Sequence, residues 1–399
     1  MRRGELLTAP CCYAPALMAS NRMLEGLEVL DFSQNLPGPY ATFLLSSWGA
    51  NVVKVEPPKG DPARFIEPFF SMVNRGKRSI ELDLRDPESR PALEALVRRA
   101  DVLVDGFRPG VMTRLGCDWP QARELNPRLI YCSISAFGQS GPLRKHPGHD
   151  LNLQAISGVC HLERDAEGTP RGTMLPIADL SSSLVAVASI TAALHARERT
   201  GEGTYLDVAM SDAVLSWANV WGVGVDFAAT TEKQLESGGL IAKLITAPLI
   251  EHLERLKLYA MPQYQVYQCK DKRHLSLGVV DERHFWRSLC EVLDLGPMAR
   301  LPMAGLIAAG PVLRPLIARR LRKRNAADWC ERLRAAGIPA SPVLSPKEAV
   351  EEAQVRSRGL VDERGWVRSP LPHAGHLSSP PPARGEHTEA ILQELGFVP

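Results

Sequence analysis

His149 and Asp179 stand thirty residues apart, each inside a short segment suited to holding a reactive side chain. His149 lies in Gly148-His149-Asp150-Leu151-Asn152-Leu153-Gln154-Ala155-Ile156-Ser157-Gly158, and Asp179 in Leu175-Pro176-Ile177-Ala178-Asp179-Leu180-Ser181-Ser182-Ser183. An imidazole titrates near neutral pH and is the natural general base under physiological conditions. A carboxylate can share that proton work, or attack a thioester itself. Asp179 carries two compatible readings. Asp before an apolar helical run is a favoured N-cap, accepting the second or third backbone N–H. The same helix N-terminus stabilises a carboxylate, which would keep Asp179 ionised and ready as a nucleophile. His149 follows Pro147-Gly148, a turn signal, where a lone histidine is more often a hydrogen-bonded surface residue than a catalyst. Asp150 beside it could equally cap the next helix.

Two further segments could hold an anion. Asn74-Arg75-Gly76-Lys77-Arg78 sets three cations around one glycine at the entry to a strand. This is either a solvated charge run or a clamp for a phosphorylated ligand. Gly106-Phe107-Arg108-Pro109-Gly110 follows a strand end, the place where open α/β sheets bind ligands. An aromatic ring and a cation there suit a nucleotide base and its phosphates, and Arg114 adds a further phosphate contact. No GxGxxG follows the first strand, and there is no P-loop, zinc signature or GxSxG elbow. No metal is expected. The basic run Arg314, Arg319, Arg320, Arg322, Lys323 and Arg324 alternates with Leu313, Leu316, Ile317 and Leu321. It reads as the solvated face of an amphipathic helix rather than a nucleic-acid surface.

The elements that must position these residues alternate between strand and helix. Leu27–Phe32 reads as a buried strand, Tyr40–Trp48 as a helix after Pro37-Gly38-Pro39, and Asn51–Glu56 as the next strand. The pattern continues with strands at Ser79–Leu84, Asp101–Asp105 and Leu129–Ser135, and helices at Pro87–Arg99 and Val111–Leu115. Leu180–Arg199 is the strongest helix, closed by Gly201; Thr204–Ala209 is a strand and Asp212–Phe227 a helix. Tyr264–Leu277 reads as a hairpin turning at Asp271-Lys272, with helices to about Ala336 and extended chain over Pro339–Leu344. The fold class is α/β with a mostly parallel sheet. A chain of 399 residues, 45% hydrophobic and 23% charged, forms more than one domain. Its net charge of +2 demands neither a nucleic-acid nor a membrane partner, and no uninterrupted apolar run reaches the ~18 residues of a membrane span. Eight cysteines without CxxC spacing are read as reduced thiols of a cytoplasmic enzyme. Residues 1–23 read as a disordered extension or a start-site error, with Met18 and Met23 as alternative starts.

Taken in order, these segments resemble the family III CoA-transferases, the group that includes formyl-CoA transferase, carnitine CoA-transferase and α-methylacyl-CoA racemase. The resemblance runs from about Leu24 to Phe397. It is carried by Leu27–Phe32 with Pro37-Gly38-Pro39, Gly49–Glu56, Asn74–Leu84, Ala100–Gly116, Asn126–Gly141, Gly148–Gly158, Pro176–Asp179, Thr200–Ala213, Ile338–Leu344 and Gly385-Glu386-His387-Thr388. It implies an intertwined homodimer. Each subunit would have a large Rossmann-like domain (24–227 and 338–399) and a smaller α+β domain with its linkers (228–337). Coenzyme A, as the acyl-CoA substrate, would lie along the large domain. By position Leu82, Asp83, Leu84, Arg85, Gly106, Phe107, Arg108 and Arg114 match CoA-contacting residues. Pro57 stands where some members carry an arginine on the CoA phosphates, and Arg75, Lys77 and Arg78 are expected to compensate; Asp150 is placed with the ligand-binding set.

The resemblance also makes Asp179 the catalytic aspartate. In transferases it attacks the thioester and passes CoA to an acceptor carboxylic acid by way of an aspartyl-CoA thioester. In the racemases His149 and Asp179 match an acid–base pair that moves the α-proton of a 2-methylacyl-CoA. Glu282, or Asp281 in a competing alignment, matches the glutamate supporting that histidine. Formyl-CoA transferase has an aromatic residue in place of His149. Leu153 replaces a tyrosine of the racemase motif, Leu175 replaces an asparagine near the aspartate, and Ser181-Ser182-Ser183 replaces a glycine run. Transfer is therefore the first expectation, racemisation the second, and a non-catalytic CoA-binding protein the third. Residues 228–257 are expected to help shape the acyl pocket.

Overall fold

The computed structural model describes residues 22–163, 165, 168–220, 261–280, 282–302, 305–306, 309–377 and 379–397. Residues 1–21 of the N-terminal segment, the end of the helix expected to reach Phe227, the stretch 228–257 and Asp281 lie outside them. The chain divides into one unit of residues 1–223 with 358–399 and a second of residues 224–357.

Six parallel strands form the sheet of the first unit. They are β1 (Glu28–Asp31), β2 (Asn51–Glu56), β3 (Arg78–Glu81), β4 (Val102–Asp105), β5 (Ile130–Ser135) and β6 (Thr204–Ala209). Their order is β3-β2-β1-β4-β5-β6. This is the doubly wound arrangement, whose order reverses between β1 and β4 and opens a crevice beyond the strand C-termini there. Alternating strand residues feed two cores. Val29, Val102 and Ile130 face one cluster with Phe43, Leu44 and Ile190. Leu30, Leu103 and Tyr131 face the other with Leu93 and Leu96.

Helix α1 (Pro37–Ser47) starts one turn earlier than the sequence suggests, with prolines in its first turn. Gly38 is obligatory, because a Cβ there would sit 2.2 Å from the Ser33 Cβ. After α2 (Glu67–Asn74), α3 (Arg90–Arg99) and α4 (Val111–Arg114) comes α5 (Trp119–Leu125), which the sequence reading missed. Its signal was the capping box between Asp118 and Gln121, with a proline in the first turn. Helices α6 (Asp150–Ile156) and α7 (Val159–Leu162) lead to α8 (Ile177–Thr200), and α9 (Met210–Ala218) follows β6. Helix α8 is apolar and long enough to cross a membrane, yet Ala178, Ser181, Ser182, Ser183, Ala186, Val187 and Ile190 are buried and it packs against α1 and α9. That is the profile of a core helix. Its three serines bury their hydroxyls by donating back to Ala178 O and Asp179 O, and Ser183 also reaches Pro37 O at 2.7 Å.

The C-terminal segment closes the edge of the sheet. His387 N–H donates to Ser79 O at 2.9 Å and Thr388 Oγ1 accepts Glu81 N–H at 3.0 Å, so β3 offers no free edge there. In the second unit β7 (Tyr264–Gln268), β8 (His274–Gly278) and β9 (Ala340–Pro342) form an antiparallel sheet. It packs with Trp286, Leu289, Leu313, Ile317 and Trp329. The expected return to the large domain at residue 338 is corrected by this pairing. Because Ala340 and Ser341 pair with Leu277 and Ser276, the chain returns only at Arg358.

Candidate active site

Asp179 is not the cap of α8. Pro176 occupies the N-cap position and makes no side-chain bond, while Asp179 is the third residue of the helix. The cap comes from another helix. Asp150, the first residue of α6, accepts Ala178 N–H through Oδ1 at 2.7 Å and Asp179 N–H at 3.4 Å. One carboxylate thus joins the two segments that the sequence holds thirty residues apart. Both Asp150 oxygens are engaged by the protein, Oδ1 by the first turn of α8 and Oδ2 by Gln154 Nε2. His149, exposed, precedes it as the N-cap residue of α6, and its N–H donates to Asn152 Oδ1 at 3.1 Å.

The electrostatics of Asp179 differ from the expectation of a constantly ionised side chain. Burial, and then the charge of Asp150, push its carboxyl up to about 7. Asp150 already takes the first-turn N–H groups that would otherwise favour the charge on Asp179. Among the described residues no hydrogen bond or ion pair engages the Asp179 carboxyl. A half-buried acid lifted to neutrality and left without a partner marks a site of function more often than a structural ion pair does.

A cavity of about 560 Å³ opens at the C-terminal ends of β1 to β4, the crevice of a doubly wound sheet. Leu82, Asp83, Leu84, Arg85, Phe107 and Arg114, all among the residues that the family resemblance sets along CoA, line it. Arg108 faces a separate hollow with Asp105, Trp119, Tyr131 and Tyr205, and Gly106 lies against Ser33. Phe32, Gln34, Pro57, Pro58 and Lys59 also line the crevice. Lys59, an exposed cation just beyond Pro57-Pro58, went unnoticed in the sequence. Its signal was a lysine three residues past the end of β2.

Residues 24–388 match the model of CoA-transferase family III. The chain belongs to CoA-transferase family III. It is 34% identical to an acetyl-CoA:oxalate CoA-transferase of Acetobacter aceti over 87% of each chain. It is 33% identical to a succinyl-CoA:mesaconate CoA-transferase of Haloarcula marismortui, covering 94% of this chain and 96% of the relative. A crystal structure of a CaiB/BaiF family protein from Brucella suis superposes with a TM-score of 0.75 at 28% identity, covering 93% of this chain and 99% of that one.

In this family III enzyme the loop Asn74–Arg78 is taken up internally, which corrects its reading as an anion clamp. Lys77 is fully buried; its Nζ donates to Asp31 Oδ2 at 2.9 Å, Asn74 Oδ1 at 2.8 Å and Pro39 O at 2.9 Å. Burial opposes the charge on Asp31, yet Lys77 and Lys54 together hold its carboxyl well below the usual range. Arg75 is buried, bonds to Val367 O, and lies over the rings of Phe43 and Trp366. Arg78 pairs with Glu394 at 2.6 Å. None of the three lines the cavity, so Lys59 and Arg114 are its cations near β2 and α4. Lys77→Ala is accordingly expected to cost about 3–5 kcal/mol of stability in urea denaturation, by stranding the buried Asp31 charge, with little change in acyl-CoA KM. An unchanged stability with weakened acyl-CoA binding would contradict the structural role. Glu282 belongs to the second unit. There it stands at the N-cap of the helix Arg283–Val292, and its Oε2 accepts Val280 N–H at 3.1 Å.

Proposed function

We propose that this enzyme moves CoA between an acyl-CoA thioester and a carboxylic acid, with Asp179 as the nucleophile. The observation that carries this reading is the half-buried Asp179 carboxyl at the start of α8, without a hydrogen-bond or ion-pair partner among the described residues. As an anion it attacks the thioester carbonyl, forming an acyl–aspartyl anhydride and expelling CoA thiolate. The thiolate then attacks the aspartyl carbonyl and releases the donor acid, leaving an aspartyl-CoA thioester. An acceptor carboxylate repeats both steps in reverse order, and Asp179 is regenerated. Dividing one exchange into acyl transfers is covalent catalysis. The CoA moiety is assigned to the β1–β4 crevice, with Phe107 against the nucleotide and Lys59, Arg85 and Arg114 toward its phosphates. The family's intertwined homodimer is part of this reading. The exposed apolar side chains Leu151, Ile156, Met174, Leu175, Leu215 and Trp217 around α6 to α9 support it. The free thiols at Cys117, Cys132, Cys160, Cys269, Cys290 and Cys330 suit a reducing, cytoplasmic setting.

One observation favours a second reading. Asp150 ties the segment of His149 to the helix of Asp179, as an acid–base pair for α-proton exchange would require. A single assay separates the two. Acetyl-CoA with oxalate, and succinyl-CoA with mesaconate or glutarate, are incubated in deuterium oxide, with 2-methylacyl-CoA alone as the control. These acids are those named in related enzymes. New thioesters that need an acceptor are expected, and they should persist in His149→Tyr. Deuterium at the α-carbon without an acceptor, lost in His149→Tyr, would overturn transfer in favour of racemisation.

A further inference from the structure

Gln154 lies fully buried on α6, one turn after Asp150. Its Nε2 donates to Asp150 Oδ2 and, more weakly, to Leu175 O at 3.4 Å. Its Oε1 accepts Thr173 N–H at 2.8 Å. A single amide therefore holds both structures that deliver Asp179: the carboxylate capping α8, and the chain that runs into α8. A side-chain amide has two donors and an acceptor oxygen in a fixed plane, so these bonds leave it no second arrangement. Gly172 shows how tightly the approach is built. A Cβ there would lie 2.6 Å from Leu151 Cδ1 and 3.0 Å from Gln154 Oε1.

We propose that Gln154 is a positioning residue for Asp179: by fixing the Asp150 carboxylate and the Thr173–Leu175 approach in one arrangement, it sets where the Asp179 carboxyl stands. This rests on Asp179 being the nucleophile. Asp150 binds the helix amides through one oxygen and Gln154 through the other, so removing the amide frees the carboxylate to turn toward solvent. The first turn of α8 then loses its cap, and Thr173 N–H loses its acceptor. The Asp150 charge also moves away from Asp179. Two kinetic consequences follow that loosened packing alone does not produce. The turnover step suffers, because a misplacement of about 1 Å at a reacting group costs about 10²-fold. The acid limb of the pH profile shifts to lower pH, because less negative charge opposes ionisation of Asp179. The acyl-CoA cavity is built from other residues, so its affinity is spared.

Gln154→Met keeps the length of the side chain and removes the amide. With the most active donor–acceptor pair above, kcat is expected to fall about 10²-fold, acyl-CoA KM to stay within about twofold, and the acid limb to move down. A wild-type kcat, a loss confined to KM, or an unmoved limb overturns the proposal. If Gln154→Met does not fold, Gly172→Ala carries the same expectation, because it pushes the same contact apart from the other side. Asp179→Ala separates the two levels. Transfer surviving in Asp179→Ala removes the nucleophile and this inference together. A dead Asp179→Ala beside a normal Gln154→Met removes the positioning role alone.

Discussion

Asp179→Asn is expected to abolish acceptor-dependent thioester exchange and, at pH 8, to raise the melting temperature. The first effect follows from removing the nucleophile: an amide cannot form the anhydride, and losses of about 10⁴-fold or more are usual for a covalent catalyst. The second follows from where the carboxyl sits. Burial and Asp150 lift its pKa from an ordinary 3.8 to about 7, so the folded protein holds a proton there that the unfolded chain has released. Between those two values stability falls as pH rises. The penalty is absent below about pH 4 and complete above about pH 7. Asn keeps the shape and carries no charge, so it gains at pH 8 and gains nothing at pH 4. Allowing for the partial exposure of the site, the gain is roughly 1–3 kcal/mol. Thermal denaturation at the two pH values reads it directly. A variant less stable than wild type at pH 8 would show that Asp179 is a structural ion rather than a strained functional one. Retained exchange would remove it from the mechanism. Stability set aside at a reactive group is a familiar trade against activity.

What the sequence made legible was what depends on near neighbours. The strands β1 to β6 are short apolar runs with turn signals, and all six lie where those runs predict, within a residue or two except at the C-terminal end of β3. Helix α8 and its Gly201 stop were equally plain. Of the crevice residues, Phe107 was flagged by its place after a strand end and Arg114 by its charge close behind, whereas Leu82 to Arg85 came from the family resemblance alone. Helix α5 and Lys59 carried local signals that were passed over; the other failures come from partners distant in sequence. Asp179 has the local signature of an N-cap, but the cap of α8 is Asp150, whose reach depends on how α6 packs. Arg75 and Lys77 read as an anion clamp because nothing near them in sequence neutralises them; Asp31 does so for Lys77 from afar, and Arg75 donates to Val367 O in the field of Asp362. The boundary near residue 338 was misplaced because β9 is three residues long and is defined by pairing with β8.

Transfer in the wild-type enzyme is expected to rise with pH through about 7, and to do so at lower pH once Asp150 is replaced. Attack needs the Asp179 anion, so kcat/KM should fall about tenfold per unit on the acid side of its pKa. The Asp150 charge is one of the two causes of that high pKa. Asp150→Asn removes the charge but leaves an oxygen able to accept Ala178 N–H, so the cap is retained. The new amide nitrogen then faces Gln154 Nε2, donor against donor. If Gln154 flips to offer its oxygen, its nitrogen meets Thr173 N–H instead. One bond is lost either way, at a cost of about 1–3 kcal/mol. Asp150→Asn should therefore show a lowered acid limb, a lower melting temperature and a reduced plateau rate. Asp150→Ala loses charge and cap together. Its limb should move at least as far, because the freed first-turn N–H groups also favour the Asp179 anion. Its stability should lack the worth of a helix cap, about 1 kcal/mol, and its plateau should fall further as the first turn of α8 loosens. Parallel pH–rate profiles of the three proteins test this. A limb fixed near pH 7 in both variants would mean that burial alone lifts Asp179. Asp150 would then act on the site only through the geometry of α8.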